Sequence, residues 1–149
     1  MDVLAATHER RNFWARQLRP RLAGKPVRWV ETRSRATLSR ALAGVGCGLV
    51  VFDLGAGTVE TYEELATTAA LAPEALVLAV NADARALDAA RELGATLALP
   101  AATTPPEVAA LLARWVDVAL RRNARAGWLE RERTPEHDDW WQTLIERRA

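Results

Sequence analysis

Short apolar segments alternate with longer segments of helical periodicity along most of this 149-residue chain. Two of the apolar segments, residues 49–52 and 75–80, are uninterrupted, which is typical of strands buried on both faces of a sheet. Residues 27–30 alternate between apolar and polar positions, which favours a strand at a sheet edge. Residues 3–6 and 96–99 complete a set of five predicted strands.

Five helices are predicted between and after these strands, because apolar positions recur there at helical spacing. Their predicted ranges are residues 9–22, 34–43, 58–71, 83–93 and 107–122. Ser34 and Asp83 are suitable N-terminal caps, and Gly94 is a suitable C-terminal stop. The chain therefore contains five strand–helix units in succession.

Five strands that alternate with five helices predict a parallel sheet, because parallel neighbours are joined by right-handed crossover connections. The expected fold class is α/β, with helices on both faces of the sheet. The flavodoxin-like strand order 2-1-3-4-5 is the natural arrangement for a chain of this length. Ligands bind such sheets at the carboxyl ends of the strands, and the central strand here ends on Asp53.

The C-terminal residues form a separate segment by composition. We expect residues 123–127, Asn-Ala-Arg-Ala-Gly, to loosen the chain. One domain over 1–122 would then precede a helical tail over 123–149. A short helix is unstable alone in water, so the tail is expected to pack on its own domain or to dock on a partner. The side chains available for either contact are Trp128, Trp140, Trp141, Leu144 and Ile145.

Bulk composition excludes several functional classes. The net charge of +1 provides no general attraction to nucleic acid. Apolar runs stop well short of the ~18 residues of a membrane span, and the N-terminus lacks the pattern of a signal peptide, so we expect a cytoplasmic protein. Cys47 is the single cysteine, which excludes an internal disulfide and a multi-cysteine metal site. Neither a Gly-x-Ser-x-Gly elbow nor a phosphate loop is present, so we expect no enzyme activity and no cofactor.

Residues 49–54, Leu-Val-Val-Phe-Asp-Leu, resemble the third strand of response-regulator receiver domains, which ends on the phosphoacceptor aspartate. Residues 27–42 are similar to the second strand and second helix of that family. Residues 81–95 resemble the segment after its fourth strand, and residues 105–108 resemble the start of its fifth helix. The spacing between these segments is preserved almost without gaps, so the resemblance implies a receiver-like domain.

The resemblance implies that Asp53 is the equivalent of the phosphoacceptor. In the family, two acidic residues after the first strand hold Mg²⁺ together with the acceptor, because this ion takes oxygen ligands. A Thr or Ser after the fourth strand and a Lys after the fifth bind the phosphoryl oxygens. In this sequence those positions fall on Ala6, Thr7, His8, Ala79 and Ala101, with Leu99 as the alternative to Ala101.

None of these positions provides the family's side chain, so we expect a degenerate pocket without a metal site. Glu9 is the nearest acid, but it is expected to lie one or two residues too far along the chain. His8 is expected to be a polar loop residue, with a metal or acid–base role beside Asp53 as the alternative. The resemblance therefore indicates a pseudo-receiver.

Three functions remain open at this point. The first is a non-catalytic signalling or adaptor module that binds another signalling protein or a second copy of itself. The second is a phosphoacceptor receiver of a two-component system that uses Asp53 with atypical partners such as Glu9 or His8. The third is a small-molecule binder or an enzyme that uses the crevice at the strand ends.

The family binds partners through the face formed by the fourth helix, the fifth strand and the fifth helix. This face is therefore the expected interface, including that of a homodimer, with the C-terminal tail as a second candidate. The apolar side chains predicted on it are Leu97, Leu99, Val108, Leu112 and Trp115.

Overall fold

The computed structural model describes residues 1–55 and 57–132, without the side chains of residues 128–132. The strands in this part of the chain are β1 (Val3–His8), β2 (Val27–Thr32), β3 (Leu49–Asp53), β4 (Leu76–Ala82) and β5 (Leu97–Pro100). The helices are α1 (Trp14–Arg21), α2 (Arg35–Leu42), α3 (Val59–Leu71), α4 (Ala84–Glu92) and α5 (Pro105–Glu132).

The strands form one parallel sheet in the order β2-β1-β3-β4-β5. This order confirms the predicted α/β class and the flavodoxin-like topology. β2 lies at an edge of the sheet, as its alternating pattern predicted. β3 and β4 lie inside the sheet, where the continuous apolar runs of their sequences are buried on both faces.

The core consists of two layers, one on each face of the sheet. Alternate residues of β3 enter different layers, because successive side chains of a strand point to opposite faces. Leu49 and Val51 pack in the layer that includes residues of α1 and α5. Val50 and Phe52 pack in the layer that includes residues of α2, α3 and α4. This double burial explains why β3 is apolar at every position before Asp53.

Local capping residues set the ends of several helices where the sequence predicted them. Ser34 Oγ accepts the N–H of Thr37 at 3.2 Å, and Asp83 Oδ1 accepts the N–H of Ala86 at 2.8 Å. Gly94 has a φ of +107°, and a Cβ there would lie 2.6 Å from the Cβ of Ala69. Glycine is therefore required at this position both for its backbone conformation and for close packing.

Two helix boundaries differ from the prediction. The first helix begins at Trp14 and not at Glu9, because β1 continues to His8 and the chain bends over residues 10–13. The last helix continues to Glu132, so the loosening predicted for residues 123–127 is wrong. Alanine and arginine favour helix there, and a single glycine inside a helix costs only ~1 kcal/mol.

A side chain on α5 also holds this region of the helix against the domain. Asn123 Oδ1 accepts the N–H of Cys47 at 2.6 Å, and Asn123 Nδ2 donates to the carbonyl oxygen of Cys47 at 3.1 Å. Gly46 is necessary for this contact, because a Cβ there would lie 2.5 Å from Asn123 Oδ1. The helix is thus attached to the loop before β3, beyond the predicted domain boundary.

The division into a domain over 1–122 and a tail over 123–149 stays a prediction. The side chain of Trp128 is not described. The other tail residues proposed for contacts lie outside the described residues; they are Trp140, Trp141, Leu144 and Ile145. No helix in the described ranges is both long and apolar enough to cross a membrane.

Candidate functional site

The carboxyl ends of the strands border a cleft of about 980 Å³. Its lining includes residues from the ends of strands and the loops that follow them, together with residues of α3. Asp53 is part of this lining, as the strand order predicted. A cleft of this volume is in the usual range for small-molecule sites.

The carboxylate of Asp53 is half-buried and is held by the loop that follows it. Its Oδ1 atom accepts the N–H of Gly55 at 2.7 Å and the side-chain amide of Asn81 at 3.4 Å. A Cβ at position 55 would lie 3.0 Å from Asp53 Oδ1 and 2.5 Å from Asn81 Nδ2. Glycine at this position therefore lets the backbone come close enough to hold the carboxylate.

Asn81 lies beside Asp53 in an unusual backbone conformation. Its φ is +60°, which is uncommon outside glycine and which asparagine tolerates better than most residues. Asn81 and not Ala79 is thus the fourth-strand residue beside the carboxylate. Ala79 is paired with Phe52 and fully buried, one position short of Asp53, whose partner is Val80.

His8 is the last residue of β1 and is 6% exposed, so the prediction of a polar loop residue is wrong. Its Nδ1 atom lies 2.8 Å from Thr32 Oγ1, and its Nε2 atom lies 2.6 Å from Glu64 Oε2. The ring also packs on Phe52, with the ring centroids 4.8 Å apart. Strand β2, helix α3 and the core therefore all fix the imidazole in place.

Glu9 lies at the level of Asp53, so the expected displacement along the chain is also wrong. His8 is paired with Phe52 in the sheet, and the next residue on each strand is Glu9 and Asp53. Both carboxylate oxygens of Glu9 accept the N–H of Trp14, at 3.0 Å and 2.9 Å, and hold the first turn of α1.

Burial determines the protonation of Glu9. Desolvation raises the pKa of this carboxyl to about 7, and the negative charges of Asp53 and Glu31 add to the effect. The N–H groups of Trp14 and Phe13 lower the pKa, because they stabilise the charged form, but burial outweighs them. Glu9 is therefore only partly ionised at neutral pH.

The charged residues of the cleft are concentrated at the β1, β2 and α3 side. We call this side the charged wall; its members are His8, Glu9, Arg10, Arg11, Arg33 and Glu64. The opposite side, after β4 and β5, we call the neutral wall; its members are Asn81, Ala101, Ala102, Thr103 and Thr104. Asp53 lies on β3, between β1 on the side of the charged wall and β4 on the side of the neutral wall.

Of the other predicted pocket positions, Ala101 lines the cleft, whereas Ala6 and Thr7 do not. Ala101 lines the cleft and supplies no cation, while Leu99 is half-buried and packs against the core. Ala6 and Thr7 are fully buried in β1 and do not line the cleft, because the strand continues to His8. The acidic positions sought near Ala6 and Thr7 are therefore displaced towards Glu9.

The fold is similar to that of several solved receiver domains. A response regulator from Thermotoga maritima superposes with a TM-score of 0.64 at 10% sequence identity, over 78% of this chain and 99% of that chain. A response regulator from Burkholderia pseudomallei, solved with a phosphorylated aspartic acid and a calcium ion, has a TM-score of 0.59 at 17% identity, over 99% and 86% of the two chains. This protein has the receiver-domain fold.

The same fold is found in a protein that is not named as a response regulator. A proposed pilus assembly protein (cpaE) from Burkholderia thailandensis has a TM-score of 0.56 at 19% identity, over 76% of this chain and 96% of that chain. No protein-family model matches the sequence, and no curated protein matches it significantly. The likeness is thus structural, and function must be argued from the site itself.

The side chains of this receiver-like cleft do not fit the Mg²⁺ ion that the fold implies. Within residues 1–55 and 57–132 there is no group of three or more acidic, histidine or cysteine side chains placed to hold a metal ion. Glu9, directly after β1, is the acid at the level of Asp53, and both of its oxygens already accept the N–H of Trp14. His8, at the neighbouring position, is an imidazole and not a carboxylate, and Mg²⁺ prefers oxygen ligands.

The face formed by α4, β5 and α5, where a partner was expected to bind, exposes only some of its predicted residues. Val108 and Leu112 are 0% and 1% exposed and belong to the core, so their prediction as interaction residues is wrong. The helical spacing that suggested a partner-binding stripe is the stripe by which α5 packs on the sheet. Leu97, Leu99 and Trp115 are half-buried around this core and keep some exposed surface.

Sequence reasoning did not identify Asn81, Glu64 or Arg33 as residues of the cleft. Asn81 carried a usable signal, because it is the first polar residue after a continuous apolar strand. Glu64 carried none, because its position depends on how α3 rotates against the sheet. Arg33 carried none either, because only the strand order brings the loop after β2 to the mouth of the cleft.

Proposed function

We propose that this protein is a non-catalytic signalling or adaptor module, which acts by protein–protein interaction and not by Mg²⁺-dependent phosphorylation of Asp53. The observation that carries the proposal is the environment of this carboxylate. Its polar contacts in the described part of the chain are one backbone N–H and one neutral amide. A phosphoryl group on Asp53 would find no ammonium group on the neutral wall.

The internal contacts of the charged wall support the same proposal. A functional phosphorylation site keeps its groups available for the metal ion and the phosphoryl oxygens. Here His8 is bonded to Thr32 and Glu64, and Glu9 is bonded to the start of α1. These groups contribute to the structure of the domain, so they are poorly placed to be recruited by a transient ligand.

The partner in this proposal is another signalling protein or a second copy of the chain. The edge strand β5 and helix α5 present Leu97, Leu99 and Trp115, each half-buried. Half-exposed tryptophan and leucine side chains beside an edge strand are suited to an interface, because aromatic residues contribute strongly to binding. The C-terminal tail is a second candidate surface because of its tryptophan residues, Trp128, Trp140 and Trp141.

Phosphorylation is the first test. The full chain would be incubated with acetyl phosphate and Mg²⁺, and separately with beryllofluoride and Mg²⁺. We expect no gain of a phosphoryl group by mass spectrometry and no change in tryptophan fluorescence, with Asp53→Asn as the matched control. A gain of one phosphoryl group in the native chain that Asp53→Asn abolishes would refute the proposal.

Self-association is the second test, and light scattering coupled to size exclusion measures it. We expect a mass above that of one chain, which returns to one chain when a charge is placed on the face, as in Leu99→Asp. The matched control is Leu71→Asp, because Leu71 is an exposed leucine at the end of α3. A strict monomer that also binds no signalling protein would count against the proposal.

A phosphoacceptor receiver with atypical partners is the second candidate function. The specific observation in its favour is that Glu9 lies level with Asp53, where its charge already acts on the same site. In that case Mg²⁺ would be held by these two carboxylates alone. Loss of an acetyl phosphate reaction in Glu9→Gln as well as in Asp53→Asn would support this candidate.

A further inference from the structure

The charged wall contains cations that the domain itself does not use. Arg10 and Arg11 follow β1, Arg33 follows β2, and all three are exposed at the cleft. None of them forms an ion pair with the described part of the chain, whose ion pairs involve His8, Arg19 and Lys25. Three guanidinium groups from two adjacent loops form a suitable site for phosphate, which arginine binds with paired hydrogen bonds.

The same cleft also contains carboxylates. Asp53, Glu60 and Glu64 line it together with the three arginines. An ionised carboxylate accepts hydrogen bonds and donates none, so this part of the cleft selects N–H or O–H donors. It also repels phosphate, so that a ligand with both groups would bind in one orientation, with its phosphate at the arginines.

An exposed aromatic ring stands beside the arginines. Phe13 is 49% exposed and lines the cleft, and its ring meets the ring of Trp14 edge to face, with centroids 5.2 Å apart. About half of the Phe13 side chain is therefore open to a ligand in the cleft. The face of such a ring is a suitable surface for stacking by a planar base.

We propose that this cleft is a binding site for a guanine nucleotide, with the phosphate held by Arg10, Arg11 and Arg33 and the base directed to Asp53. Guanine presents N1–H and N2–H side by side, which match the two oxygens of one carboxylate. Adenine presents a ring nitrogen acceptor beside its amino group, and this acceptor would face the carboxylate unfavourably. Oδ2 of Asp53 has no hydrogen bond within the described residues, so it is available for the base.

Isothermal titration of the full chain, in a phosphate-free buffer without Mg²⁺, tests this site with four separate probes. They are GMP, AMP, guanosine and ribose 5-phosphate. We expect GMP to bind, and each other probe to bind at least about tenfold more weakly, because each lacks one charged or paired hydrogen-bond contact. Equal affinity for ribose 5-phosphate, equal affinity for AMP, or no binding of GMP at millimolar concentration would each overturn the proposal.

Two variants locate the binding on the chain. Arg10→Gln with Arg11→Gln should weaken GMP binding about tenfold or more by removing phosphate contacts, and Asp53→Asn should do so by removing the acceptors for the base. Arg114→Gln is the matched control, because Arg114 is exposed on α5 and does not line the cleft. Unchanged GMP affinity in the first two variants, with folding confirmed by circular dichroism, would overturn the proposal. This result is independent of the phosphorylation test, which uses no nucleotide.

Discussion

The charged wall and the neutral wall border the same cleft on the same parallel sheet, but they are built in different ways. On the charged wall, His8 and Glu9 are at least nine-tenths buried and bonded to neighbouring elements. On the neutral wall, small side chains such as Ala101 and Ala102 are exposed, and Asn81 contributes one long amide contact. The protein therefore has the receiver fold together with a one-sided distribution of charge around Asp53.

This difference teaches that the strand ends of one fold can be stabilised by internal contacts or left free for ligands. A carboxylate or imidazole that holds its own domain together is costly to redirect, because a buried group that loses its partner is destabilising. Arg10, Arg11 and Arg33, at the mouth of the cleft, form no ion pair within the described residues. Stability and ligand binding should thus respond to different residues of the same cleft, and substitutions at both walls and at the mouth test this separation.

The largest effect is expected on the charged wall, from His8→Ala. This change leaves Glu64 and Thr32 without their partner and opens a space beside Phe52. We expect a loss of about 2–4 kcal/mol in the free energy of unfolding, measured with urea. Thr103→Ala on the neutral wall is the control and should cost less than about 0.5 kcal/mol. Equal losses in the two variants would remove the distinction between the walls.

A smaller effect is expected from Glu9→Gln, and it depends on pH. The pKa of Glu9 is about 7 in the folded protein against an ordinary value of 4.5, so the folded state holds a proton that the unfolded chain releases. The associated stability is fully present below pH 4.5 and is lost as the pH rises through 7. Relative to Glu9→Gln, the native protein should lose at most about 2 kcal/mol over this range, after allowance for solvent. Parallel pH profiles of melting temperature for the two proteins would contradict this prediction.

On the neutral wall, the backbone of Asn81 gives an effect of about 1 kcal/mol. Asn81→Ala keeps the φ of +60° but loses the tolerance of asparagine for it, which costs ~1 kcal/mol. Asn81→Gly should restore most of that loss, because glycine adopts this conformation freely. Thermal melting of the two variants measures the difference. If alanine were as stable as glycine here, the backbone would not be strained.

The smallest effect on stability is expected at the mouth of the cleft. Arg10→Gln and Arg33→Gln should each change the free energy of unfolding by less than about 0.5 kcal/mol, because both side chains are exposed and unpaired within the described residues. The same urea series used for His8→Ala measures this. A loss above 1 kcal/mol would mean that the arginines support the fold, which would weaken the argument that they are kept for a ligand.

The ends of the helices show how far local sequence signals extend. The caps at Ser34 and Asp83 and the stop at Gly94 were predicted correctly, because each depends on residues within one helical turn. The end of α5 was predicted incorrectly, because Asn123 is held by Cys47 from a distant loop. A contact across 76 positions leaves no local pattern in the sequence.

The sequence by itself determined the α/β class, the strand order and the place of Asp53 at the end of the central strand. Continuous apolar runs, alternation and local caps are sufficient for the class and for Asp53, since they follow from the periods of strands and helices. The strand order followed from the common topology of chains with five such units. Only the tertiary structure decided that Glu9 stands level with Asp53, that His8 is bonded to Glu64, and that Val108 is core. The physical reason is that strand register and helix rotation are set by packing between distant elements, and a shift of one residue moves a side chain from one face to the other.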